Sequence, residues 1–100
     1  MANTFVDLIN SSSLTLVDFY AEWCGPCKLM KPILKDLKSK IGEQATIIQV
    51  DVDKSPEVAR QYQIQGVPTL ALFQKGEILW RKSGVMQAEY LKQVITQYLP

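Results

Sequence analysis

The chain holds two cysteines, three positions apart, in the stretch Trp23-Cys24-Gly25-Pro26-Cys27-Lys28. Pro26 has a fixed φ and no N–H to satisfy, which suits the first position of a helix. From Cys27 onward the pattern is helical, so Cys24 is expected at or just before a helix N-terminus. Residues three apart on a first turn are neighbours, and their Cα atoms then fall within the ~4.4–6.8 Å that a disulfide spans. Unpaired N–H groups and the positive end of the helix dipole favour a thiolate on Cys24. Spacing alone thus suggests a dithiol that opens and closes.

Three other readings of the pair stand beside this one. Zinc wants four ligands; the chain has no His and no third Cys, so zinc would need two chains or added carboxylates. A static structural disulfide across so short a loop gains little from closure. Two ordinary core thiols fit poorly with Gly25-Pro26 between them, since neither residue suits a buried helix interior. A C-x-x-C pair beside a βαβ pattern reads as a redox motif.

The elements that must position the pair follow from periodicity. Thr4 to Ile9 reads as a short helix, with Phe5, Leu8 and Ile9 on one face and Thr4-x-x-Asp7 as a capping box. No strand is expected before it. Leu14 to Ala21 is an apolar run of strand formers, read as a central strand buried on both faces. Asp18 lies inside this run. Its carboxyl is either desolvated, which raises its pKa, or bonded to nearby backbone at a strand end; both readings stay open.

Met30, Ile33, Leu34, Leu37 and Ile41 form one stripe on a helix from Pro26 to Ile41. Lys28, Lys31, Lys35, Lys38 and Lys40 lie mostly off it, as a solvated face. Pro32 should kink the helix, and Gly42 should end it at C′. Thr46 to Val52 is a second strand, parallel to the first through a right-handed crossover. Ser55-Pro56-Glu57 opens a helix to about Tyr62. Leu70 to Phe73, the Lys75-Gly76 turn and Ile78 to Ser83 form a hairpin, and a closing helix runs from about Gln87 to Leu99. The expected class is α/β, with a mixed sheet and helices on both faces.

At 100 residues, 1–100 is expected to be one domain. Apolar residues make up 47%, enough to exclude a disordered chain. A net charge of +1 with interspersed signs gives no case for nucleic acid. No apolar run approaches the ~20 residues of a membrane span. Met1-Ala2-Asn3-Thr4 shows no signal-peptide pattern, so a cytoplasmic protein is expected; a monomer is expected as well.

With these residues placed, the chain resembles the thioredoxin family over nearly its whole length. Val17 to Lys28 resembles the family's active-site stretch, Pro32 its helix kink, and Gly66-Val67-Pro68-Thr69 the loop that carries its cis-proline. Phe73 to Glu77 and Gly84 match its hairpin turn and a second glycine. Three departures are visible. The family's first edge strand is absent, which implies four strands with Thr46–Val52 as an exposed edge. Tyr20 stands where many members have Trp, and Gln49 where many have a Lys close to the buried Asp.

The resemblance implies a thioredoxin fold and a general protein-disulfide reductant. Cys24 would attack a client disulfide, Cys27 would resolve the mixed disulfide, and Asp18 would accept the Cys27 proton through a water. Trp23, Gly25, Pro26, Val67, Pro68 and Gly84 would contact substrate. Pro68 would be cis and would turn Val67 backbone toward an extended client segment. No bound cofactor is implied. Disulfide-containing client proteins and a flavin-containing thioredoxin reductase are the implied partners. A client-specific reductase, a redox-inactive binding module on the same fold, and a zinc-bridged dimer are the rivals. Lacking the Lys, Asp18 should have a higher pKa than in relatives that carry it.

Overall fold

The computed structural model describes residues 4–100. The expectation that no strand precedes the first helix concerns residues 1–3 and lies outside the described residues. In chain order the elements are α1 (Phe5–Ile9), β1 (Leu14–Tyr20), α2 (Gly25–Ile41), β2 (Ala45–Asp51), α3 (Pro56–Gln61), β3 (Thr69–Gln74), β4 (Glu77–Ser83) and α4 (Ala88–Gln97). A 3₁₀ turn, Gly42–Gln44, joins α2 to β2.

The sheet has the order β2-β1-β3-β4. β1 runs parallel to β2, with Asp18 opposite Gln49 and Tyr20 opposite Asp51. It runs antiparallel to β3, with Asp18 opposite Leu70. β1 is central and its side chains alternate between two cores. Leu14 and Leu16 face Met30, Leu34 and Leu37 of α2 and Leu91, Val94 and Ile95 of α4. Val17 and Phe19 face Phe5 of α1 and Val58 of α3. An apolar strand without a polar face is what two covered sheet faces require.

Several local expectations shift by a residue, for identifiable reasons. α2 begins at Gly25 and Pro26 falls just inside it. Pro32 lies inside the helix and deprives the Lys28 carbonyl of its ordinary N–H partner. Gly42 is the C-cap itself, at φ +56°, and not C′. The chain tightens there into the 3₁₀ turn, and Lys38 Nζ donates to the Gly42 carbonyl at 2.7 Å. Ser55 stands at the start of α3 but its hydroxyl caps nothing. Instead Asp51 Oδ1 accepts the N–H groups of Asp53 and Lys54 at 2.8 and 3.3 Å.

The hairpin turn uses left-handed backbone at both Lys75 (φ +53°) and Gly76 (φ +81°), the conformation that matches the twist of the flanking strands. A Cβ on Gly76 would stand 2.5 Å from Asn10 Oδ1. The close approach arises because Lys75 and Gly76 donate their N–H groups to Ser11 and Ile9 carbonyls at 2.9 and 2.8 Å. A register shift opposite Leu72/Phe73 lets Leu79 and Trp80 both meet the α2/α4 core. Trp80, whose face the pattern could not assign, packs there beside Tyr90.

Candidate active site

Cys24 is the N-cap of α2, in extended backbone, and its Sγ accepts the Cys27 N–H at 3.2 Å. That N–H is among those a helix start leaves unpaired, so it is available to a sulfur bearing negative charge. The two cysteines form a disulfide, with Cα atoms 5.3 Å apart. Cys24 is 4% exposed and Cys27 3%. In this closed state burial therefore does not rank them; position on the helix does. Ala21 packs beside both, and Tyr20, Val52 and Val67 close around them.

Val67-Pro68 is a cis peptide, as the resemblance implied. The Val67 carbonyl oxygen lies 3.6 Å from Cys24 Sγ. Gly84, at φ +104°, donates its N–H to the Pro68 carbonyl at 2.8 Å, so the proline loop and the end of β4 are tied together. Trp23, Gly25 and Pro26 are exposed, Val67 and Gly84 are half-buried, and Pro68 is buried. The surface around the disulfide is thus made by the residues flanking Pro68 more than by its ring.

One residue the sequence reading passed over belongs here. Trp23 is 72% exposed, yet its indole Nε1 donates to Asp53 Oδ2 at 2.9 Å. Asp51 builds the turn that presents Asp53. The signal was Asp51-x-Asp53 closing a strand parallel to β1: Tyr20 opposite Asp51 sets Asp53 beside the residues that follow Tyr20.

Asp18 has no exposed surface. Its Oδ2 accepts a 2.9 Å hydrogen bond from Gln49 Nε2, and its Oδ1 is buried without a partner. Burial pushes the carboxyl above its ordinary range, and the Gln49 bond opposes this only in part. The partner is thus a side chain on the neighbouring strand and not local backbone. A cleft of about 280 Å³ lies beside it, with Cys27, Tyr20 and Gln49 on its walls and Lys28 and Lys31 at α2. Exposed Gln49 therefore links this cleft to the buried acid. Gln49→Lys places an ammonium where an amide now stands. It is expected to lower the Asp18 pKa in a carboxyl NMR titration, and an unchanged titration would exclude charge at position 49 as a determinant.

A dithiol at a helix start on a mixed α/β sheet, backed by a buried acid and a cis-proline loop, defines a thiol–disulfide oxidoreductase. The comparisons with known proteins agree. The thioredoxin family model matches residues 1–97. A thioredoxin-like protein of Synechocystis is 45% identical over 98 residues, covering 98% of this chain and 93% of the relative. A bifunctional thioredoxin reductase/thioredoxin of Mycobacterium leprae is 38% identical over 99% of this chain, which matches 22% of that protein. The solved structure of a mutant thioredoxin from Halobacterium salinarum superposes with a TM-score of 0.84 at 35% identity, covering 94% of this chain and 81% of that one. This chain belongs to the thioredoxin family. Its fold is the thioredoxin fold and its activity is protein-disulfide reduction through the Cys24–Cys27 pair. Among the described residues no helix is long and apolar enough to cross a membrane, and no group of three or more His, Cys, Asp or Glu is placed to hold a metal.

Proposed function

We propose that residues 1–100 act as one domain, a general reductant of client-protein disulfides in the cytoplasm, working as a monomer without a bound cofactor. Cys24 thiolate attacks one sulfur of the client disulfide, forming a mixed disulfide and expelling the first client thiolate. Asp18 takes the Cys27 proton through water in the cleft. Cys27 then attacks Cys24 Sγ, expels the second client thiolate and closes the disulfide. Two electrons pass to the client; a thioredoxin reductase returns them, a donor suggested by the relative that carries both activities in its name.

The observation that carries this reading is the Cys27 N–H directed at Cys24 Sγ at the mouth of α2, which supports attack by Cys24 and resolution by Cys27. Trp23, Gly25, Pro26, Val67 and Gly84 form the client-contacting surface, with Pro68 shaping it from beneath. A Cβ on Gly25 would meet nothing within 4 Å, so open space lies beside the disulfide where a client backbone can approach. Cys27→Ser is the test. It should accumulate covalent client adducts through Cys24 that dithiothreitol releases. Adducts on neither cysteine, with binding unchanged when both are replaced, would favour a scaffold that does no redox chemistry.

A further inference from the structure

Among the described residues the sheet ends on one side at β2, which pairs there with β1 alone. The Val52 N–H bonds the Tyr20 carbonyl, so by alternation the backbone groups of Ala45, Ile47 and Gln49 point away from β1. Their side chains lie on the α2 face of the sheet. A cleft of about 510 Å³ runs between this edge and α2, with Leu34 and Ile47 as apolar lining and Lys31, Lys35 and Lys38 along it. Lys31 and Gln49 also line the cleft at Cys27, so the two adjoin. Lys28, Lys31, Lys35 and Lys38 follow one face of α2 and are exposed. Among the described residues no carboxylate pairs with them.

We infer that this edge is a docking groove for an extended, acidic strand of a client protein, added to β2 by main-chain hydrogen bonds. Three observations favour that occupant. Along a helix, Lys28 to Lys38 rises about 15 Å, and alternate residues of a strand stand about 6.6 Å apart, so three acidic side chains on one face of an added strand, about 13 Å from first to last, lie within the length of the lysine row. The row holds no ion pair among the described residues; Lys38 bonds the Gly42 carbonyl and Glu22 lines the cleft at the Lys28 end. A second copy paired symmetrically on β2 would set lysines against lysines, which is unfavourable. β2 itself carries no lysine; the charges stand on α2 beside it and select an acidic partner. The groove lengthens the client contact beyond the disulfide and gives preference to disulfides flanked by acidic extended segments.

The test uses the oxidised protein, so it does not depend on the redox steps. The probe is a fluorescein-labelled octapeptide of alternating Glu and Val. It should bind, with amide shift changes at Ala45, Ile47 and Gln49, and raising salt should weaken it. The Ser-Val analogue should bind at least about tenfold more weakly. Lys35→Glu should weaken the Glu-Val probe by about fivefold or more. Ile47→Pro, which removes an outward N–H, should do likewise, and both variants should reduce a small disulfide at the unaltered rate. The proposal fails if Lys35→Glu leaves binding unchanged or the shifts fall on β4. It fails equally if no binding occurs up to about 1 mM, or if the free protein is a dimer or has its β2 edge covered by its own chain.

Discussion

Cys24→Ser should reduce the rate of protein-disulfide reduction by on the order of 10³-fold or more, the scale seen when a covalent nucleophile is removed. Serine keeps the N-cap geometry and still accepts the Cys27 N–H, so the fold should survive and the loss be confined to chemistry. Cys27 is no substitute. It stands inside the first turn of α2, where its N–H is directed at Cys24 Sγ and not at its own sulfur. An insulin-reduction assay with dithiothreitol as electron source measures this. A variant retaining a tenth of the wild-type rate would show that Cys24 is not the attacking sulfur.

Asp18→Asn should make the protein more stable and a slower reductant. The folded-state pKa of Asp18 is raised above 3.8 by burial. Between 3.8 and that raised value the native state holds a proton that the unfolded chain has lost, so stability falls as pH rises through this window. Above it the penalty is complete and constant, at about 1.4 kcal/mol for each pH unit by which the pKa is raised. Asparagine cannot ionise and escapes it. Denaturant unfolding should therefore show the variant more stable at pH ~8, with the difference disappearing near pH ~4. Resolution by Cys27 should slow by about 10²-fold near neutrality, as loss of a general base implies, and recover at alkaline pH where the thiol ionises unaided. Equal stability in the alkaline range would mean that the carboxylate is solvated in solution.

What the sequence disclosed reflects how local each signal is. Pro26 after Cys24 and the stripe from Met30 to Ile41 depend on neighbours within a turn or two, and α2 forms where they place it. The unbroken apolar run of β1 announced two covered faces, and both are present. Asp18 stood out as a charge in that run, but its partner depended on the parallel register that sets Gln49 opposite it. The Trp23–Asp53 bond spans 30 residues and depends on the same register, extended through the turn that Asp51 builds. Ser55 looked like a cap by type, but its hydroxyl makes no cap bond to α3, and the Asp51 carboxylate bonds the turn that precedes the helix. In the closed disulfide the two cysteines are not distinguished by burial, because both sulfurs sit under the same cover. Among the described residues β2 ends the sheet, and the lysine row beside it acquired meaning only once α2 was laid along that edge.

The most direct measurement is the pH dependence of alkylation of the reduced protein by iodoacetamide, with the modified residue identified by mass. Cys24 should react first, with an apparent pKa below the ~8.5 of free cysteine, and Cys27 should lag. Alkylation of Cys24 that follows the profile of free cysteine, or modification of Cys27 ahead of it, would contradict the account.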